Sequence, residues 1–315
     1  MPEEHLSRRD FLKLLLTALG GLIASCLPRL PGEPDPTAAP SPSSTVIATS
    51  TFTQTATSTP VQSVPAPPTP GESPIPTPSP IPTSTWQWQG PDQVICPILL
   101  YHRIATPPFP NPYYVTPENF RAQMQALREW GYTSIPISLL VRAIKQGAPM
   151  PPRPVVISFD DGDISVYDTA FPIMQEIGFI GVNYIVSNRL RSEGYMNVQQ
   201  LLEMVQYGWE VGSHSVNHAN LVEDANPRFQ LEQSRRDLET ALKIPVETFA
   251  WPFGNFTPSL LKLASRFYEA AVGLGPQHIQ TYASLFYLRR RGVPYDWDVQ
   301  TFGSFLPWNT PPQPS

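Results

Sequence analysis

The sequence predicts an α/β protein whose parallel strands close into a barrel. Three observations carry this. From about Trp86 to Trp308, short apolar runs alternate with stretches of helical periodicity, the pattern of a parallel sheet flanked by helices. About seven such units recur, which favours a closed (β/α) barrel over an open sheet. The run Val155-Val156-Ile157-Ser158-Phe159 reads as a buried parallel strand, and it ends in Asp160-Asp161-Gly162. That end of a strand is where α/β folds collect their chemistry.

Composition divides the chain before any element is assigned. Forty prolines in 315 residues are too many for one core, so part of the chain is linker. A net charge of −5 and a pI near 5.6 argue against a nucleic-acid partner, which needs a basic stripe. The two cysteines, Cys26 and Cys96, do not indicate a disulfide framework.

Residues 1–27 read as an export signal. Arg8-Arg9 precede the short apolar run Leu14 to Ser25, which looks like a twin-arginine signal and is too short to span a bilayer comfortably. Leu22-Ile23-Ala24-Ser25-Cys26 resembles a lipoprotein box, so Cys26 is the expected lipidation site; a plain cleaved signal or an uncleaved anchor is the alternative. Residues 28–85 read as a disordered linker. From Pro31 to Thr85, 36 of 55 residues are Pro, Ser or Thr, too little apolar area to offset chain entropy. At about 3.1 Å per residue in proline-rich stretches, such a spacer holds a domain far from its anchor. Residues 86–315 form the expected folded domain, exported, membrane-anchored and monomeric.

Within it, Val94 to Tyr101 is a first strand with His102 at its end. Thr116-Pro117-Glu118 opens a helix with a cap, an N-terminal proline and an acid at the positive end of the dipole. Ile135 begins a short strand, and Leu139 to Lys145 form a second helix stopped at Gly147. Tyr167 to Ile177 reads as a helix in which Pro172 marks a kink or the true start. Strand Ile180 to Val186 and a helix capped by Asn197 follow. Strand Trp209 to Gly212 leads into His214-Ser215-Val216-Asn217-His218. Asn226-Pro227 opens a long helix, Val246 to Ala250 is a strand entering Trp251-Pro252-Phe253-Gly254, and a helix covers about Pro258 to Phe267. A short strand near Ala270 precedes the last one, Tyr287 to Val293, which carries Arg289, Arg290 and Arg291.

The chemistry-bearing residues cluster where strands end. His214 and His218 are spaced i, i+4, so one helical turn would point both rings the same way. With a carboxylate from another strand they make a three-ligand metal set that leaves a position open. A thermolysin-like peptidase is disfavoured, because Ser215 stands where that motif needs Glu.

Ser158-Phe159-Asp160-Asp161-Gly162, His214-Ser215-Val216-Asn217-His218 and Trp251-Pro252-Phe253-Gly254 resemble, in order and spacing, the first three motifs of the polysaccharide deacetylase family (NodB-homology domains, carbohydrate esterase family four). The resemblance implies a distorted (β/α) barrel with one divalent metal, zinc first and cobalt or nickel as alternatives. It implies Asp161, His214 and His218 as metal ligands and Asp160 as the general base. It also implies the Phe253 backbone N–H as an oxyanion donor. Much of the family draws its general acid from a late Leu-x-His motif, yet no histidine follows Arg291 here. Leu99-Leu100-Tyr101-His102-Arg103 instead resembles the N-terminal Tyr-His of the poly-N-acetylglucosamine branch, which makes His102 the acid. Arg289, or else Arg290, corresponds to the arginine that orients the base. Trp251, Trp297 and Trp308 are candidates for stacking on sugar faces; His278 reads as incidental.

The expected function is therefore metal-dependent removal of N-acetyl groups from an extracellular N-acetylglucosamine polymer of the poly-β-1,6-linked kind. Deacetylation of peptidoglycan or chitin, hydrolysis of an O-acetyl ester, and a non-catalytic glycan-binding module are the alternatives.

Overall fold

The computed structural model describes residues 85–313. The signal, Cys26 and all of the linker but Thr85 lie outside the described residues. Within them, no helix is long and apolar enough to cross a membrane.

The main sheet has eight parallel strands: β1 (Ile98–Tyr101), β2 (Thr133–Ser134), β3 (Pro154–Asp161), β4 (Val182–Ile185), β5 (Glu210–Ser213), β6 (Thr248–Ala250), β7 (Ala270–Leu274) and β8 (Leu288–Gly292). Strands β3 to β8 follow one another in sequence around the wall, and β1 pairs with both β3 and β8 and closes the ring. Seven strands form the closed wall; β2 pairs only with the first two residues of β3. The barrel is distorted because this eighth strand never enters the ring.

Strand alternation sorts each side chain to one of two cores. Val155, Ile157 and Phe159 of β3 pack outward under the helices, with Phe159 stacked against Tyr101 and Trp209. Val156 belongs to the other cluster, with Ile98, Val182, Tyr184, Ala250 and Leu288. Both faces of β3 are buried, which is why its sequence is a continuous apolar run.

The helices are α1 (Pro117–Glu129), α2 (Ile137–Gln146), α3 (Phe171–Ile177), α4 (Val198–Gln206), α5 (Pro227–Leu242), α6 (Pro258–Ala264) and α7 (Val299–Ser304). Caps set their starts. Thr116 Oγ1 accepts from the Asn119 N–H, Asn197 forms a capping box with Gln200, and Asn226 accepts from the Phe229 N–H. The expected helix from Tyr167 is split. Val166–Ala170 is a π-helical turn and α3 begins at Phe171, because Pro172 has no N–H to continue an α-helical ladder through that point. The expected strand from Val94 to Tyr101 is two: Val94 and Ile95 belong to Gln93–Ile95, paired antiparallel with Ile279–Thr281, and β1 starts at Ile98, after Pro97. Helix α7 and the antiparallel pair Gln87–Gln89 with Ala148–Met150 were not expected from the sequence.

Candidate active site

The C-terminal ends of the strands surround a cleft of about 640 Å³. His102, Asp160, Asp161, His214, His218, Phe253 and Arg290 all line it. The expected histidines and aspartates therefore meet in one place. His278 does not join them; it lies beside the Ile279–Thr281 strand, where its carbonyl accepts from the Cys96 N–H.

The two adjacent aspartates have separate environments. Asp160 continues the inward face of β3 and is 3% exposed. Arg290 grips it with both ends of its guanidinium: Nη1 to Oδ1 at 2.6 Å and Nη2 to Oδ2 at 2.7 Å. Arg290 is itself buried, donates to Ser158 Oγ and Gly273 O, and lies over the Tyr184 ring. Burial alone would raise the Asp160 pKa. The charge and hydrogen bonds of Arg290, with His214 beyond, outweigh it and hold the carboxyl at about 2.

Arg289, first choice for this pairing, is not the partner. On β8, Leu288 and Arg290 turn inward and Arg289 turns away. The expectation attached to Arg289 passes to Arg290 for that reason.

Asp161 ends β3 at a positive φ of 74°, which swings its carboxylate to the rim. Its ligand atom and those of His214 and His218 all lie within 4.8 Å of one another. His214 is buried, and its Nδ1 sits 2.9 Å from the Ala250 carbonyl. Only a protonated Nδ1 can donate there, so Nε2 keeps its lone pair for the cluster. Burial pulls the His214 pKa down to about 4, against the pull of Asp160. The ring is thus neutral near pH 7, and its 3.6 Å approach to Asp160 is a contact of a neutral imidazole, not an ion pair.

The two histidines do not share the helical turn that their spacing suggested. Residues 214–218 form a turn in which Ser215 and His218 both have positive φ. The His218 N–H donates to Ser215 Oγ, and the rings meet edge to face at 4.8 Å. Among the described residues, four of the six non-glycine residues with positive φ are Asp161, Ser215, His218 and Phe253, all at this site. Backbone strain of this kind persists where the surroundings over-determine it. The donor set suits one small divalent cation: two imidazoles and one carboxylate, drawn together from two strand ends.

His102 follows β1 and packs against Tyr113 at 4.9 Å. Burial lowers its pKa, while Asp160 and Asp161 pull it back up. Phe253 sits at φ 61° in the turn Pro252–Gly254, its ring 4.6 Å from that of His218. Of the three tryptophans proposed for sugar stacking, Trp251 and Trp297 both line the cleft, and only Trp297 is partly exposed there, stacked on Phe305. Trp251 is 1% exposed, and Trp308 packs beside Tyr132 away from the cleft.

Two contacts were invisible in the sequence. Arg189 Nη1 lies 3.0 Å from Asp161 Oδ1, and Arg103 Nε lies 2.8 Å from Asp163 Oδ2. Both join residues from different strand ends, and neither has a local motif.

Known proteins resemble the chain in sequence and in fold. Residues 147–269 match the family model described as polysaccharide deacetylase. The chain is 23% identical over 213 residues to the Bacillus subtilis (strain 168) protein YxkH, whose name places it among the polysaccharide deacetylases. That match covers 67% of this chain and 75% of YxkH. It is 29% identical over 109 residues to the poly-β-1,6-N-acetyl-D-glucosamine N-deacetylase of Staphylococcus epidermidis, covering 33% of this chain and only 37% of that enzyme. Among solved structures, the Streptococcus pyogenes deacetylase PplD superposes with a TM-score of 0.62 at 25% identity, covering 69% of this chain and 99% of PplD. A Bacillus cereus polysaccharide deacetylase gives 0.62 at 26% identity, covering 68% and 69%. Residues 147–269 thus match a polysaccharide deacetylase domain, and about two thirds of the chain is similar to proteins named for that hydrolase activity.

Proposed function

We propose that this protein is a metal-dependent hydrolase that removes N-acetyl groups from an extracellular polymer of N-acetylglucosamine of the poly-β-1,6-linked kind, acting from the cell envelope. The observation that carries the reading is the division of labour between Asp160 and Asp161 around the His214–His218 pair.

Asp161, His214 and His218 would hold the cation, zinc in the first instance. Bound there, it would acidify water and polarise the acetyl carbonyl. Asp160 presents Oδ2 toward His214, and Arg290 keeps it ionised and fixed, so that oxygen accepts the proton of the attacking water. The Phe253 N–H supports the developing oxyanion. His102 delivers a proton to the leaving nitrogen as its bond to the acetyl carbon breaks, giving acetate and a free amine.

The cleft favours an uncharged glycan. Its lining cations are neutralised locally, Arg290 by Asp160 and Arg103 by Asp163, and Tyr113, Phe253, Leu274 and Trp297 offer apolar faces. The name of the Staphylococcus epidermidis relative supports the same polymer. Lipidation at Cys26 and the 28–85 spacer would set the domain outside the cell, away from its anchor.

The test is acetate release from β-1,6-linked N-acetylglucosamine oligomers, abolished by a chelator and restored by Zn²⁺ or Co²⁺. Failure of metal-loaded protein to release acetate from these oligomers defeats the substrate. Loss of membrane association in Cys26→Ser checks the anchor.

A further inference from the structure

The carboxylate that would hold the cation already has a positive partner. Arg189 ends the 3₁₀ turn Ser187–Arg189 just after β4, and its Nη1 lies 3.0 Å from Asp161 Oδ1. This is the same oxygen that His218 Nε2 approaches at 3.6 Å. Among the described residues Asp161 is the only hydrogen-bond acceptor of the Arg189 side chain. The guanidinium is held in place from two sides. It lies over the Tyr195 ring, 4.8 Å from the centroid, and Tyr195 is bridged to Asp163 on the Asp161 loop. The turn that carries it is tied to the histidine loop by two hydrogen bonds, Ser187 N–H to Ser215 O and Asn188 N–H to Val216 O, each 3.1 Å.

We propose that Arg189 is a positioning residue that competes for Asp161 and lowers the affinity of the Asp161–His214–His218 site for its divalent cation. The inference rests on the metal-dependent reading above. A metal takes imidazoles in their unprotonated form, so two imidazoles and one carboxylate would offer a cation a single negative charge, which Arg189 cancels. A dication held by Asp161 would share that carboxylate with the guanidinium, and a like charge so close costs binding even under strong screening. The cation is then one the protein binds and releases, and the same arginine steadies the Asp161 carboxylate while the cation is away.

Zn²⁺ affinity of the metal-stripped full chain, read by competition with a chromophoric chelator, tests this without any turnover. Arg189→Gln is expected to bind Zn²⁺ at least about tenfold more tightly than the unaltered protein. Arg189→Lys, which keeps the charge, is expected to stay near it. The metal-free Arg189→Gln protein should melt lower, and Zn²⁺ should raise its Tm by more. Tyr195→Leu removes the surface beneath the guanidinium and should tighten binding by less, which gives a second reading if Arg189→Gln folds poorly. Equal or weaker Zn²⁺ binding in Arg189→Gln and Tyr195→Leu overturns the proposal. Absence of Zn²⁺ binding by the unaltered chain sinks the metal reading itself, a different and distinguishable outcome.

Discussion

Asp160 and Asp161 are chain neighbours with opposite surroundings. One faces the barrel interior, clamped at both oxygens by a buried arginine. The other sits at the rim in a left-handed backbone conformation, within reach of two histidines and a half-buried arginine. Strand alternation alone would turn Asp161 outward with Phe159; its positive φ brings it instead to the rim of the same cleft, in a setting different from that of Asp160. The fold uses this to separate a carboxylate fixed and held ionised near neutral pH from one that faces two histidines at the rim. The interior teaches what holds charge in a dry place; the rim teaches what leaves it available.

The sharpest way to break this comparison is to neutralise each acid in turn. Asp160→Asn is expected to cut acetate release by about 10²–10⁴-fold while Zn²⁺ stays bound. Asp161→Asn is expected to lose Zn²⁺ affinity along with activity. Metal content measured beside turnover separates the two. If Asp160→Asn loses the metal and Asp161→Asn keeps it, the roles are reversed.

Removing the interior clamp comes next. Arg290→Met leaves a buried carboxylate without its counter-charge, a change expected to cost about 3–5 kcal/mol. At roughly 2–4 °C per kcal/mol for a domain of this size, Tm should fall by about 6–20 °C. With the guanidinium gone, burial dominates and the Asp160 pKa climbs from about 2. The acidic limb of the pH–rate profile of whatever activity survives should move to higher pH.

Metal-free stability against pH distinguishes the two regions more finely. His214 is held neutral, its pKa depressed from 6.5 to about 4. The unfolded chain therefore binds a proton there first, and stability falls as pH drops from 6.5 toward 4, by on the order of 3 kcal/mol. Asp160 is depressed from 3.8 to about 2, so its contribution is intact above 3.8 and is lost only as pH falls from there toward 2. Tm measured from pH 7 to pH 3 should show the histidine step first. His214→Gln should shrink that step to the part left by the burial-depressed His102 and His278, and leave the lower one in place.

Local features of the site were legible in the sequence. The Asp-Asp-Gly strand end, the His-x3-His pair and the Trp-Pro-Phe-Gly turn are each contiguous, and parallel topology alone brings strand ends to one mouth. Helix starts at Thr116, Asn197 and Asn226 were legible because a cap is a side chain bonding its own chain three residues on. The conformation of residues 214–218 was not: i, i+4 spacing fits a helical turn, yet two positive φ angles make a different turn that also brings the rings together. Arg189 and Asp163 act through contacts 28 and 60 residues distant in sequence, which no periodicity records.

The arginine that orients the base illustrates a further limit. On a strand with one wet face, polar and apolar residues alternate and disclose which way each side chain points. In a barrel with helices outside, both faces are covered, and Leu288-Arg289-Arg290-Arg291 offers no such contrast. The smallest predicted effect tests the parity that the structure supplies. Arg289 holds Gln280 through its backbone alone, its N–H donating to Oε1 and its carbonyl accepting from Nε2, each at 3.0 Å. Its side chain runs along Gly275 outside the barrel. Arg289→Ala keeps the backbone pair and should change stability by no more than about 0.5 kcal/mol, with kcat, KM and Zn²⁺ affinity near those of the unaltered protein. A loss of turnover in Arg289→Ala comparable to that in Arg290→Met would mean that the clamp on Asp160 depends on both arginines and that strand alternation does not by itself decide which of them matters.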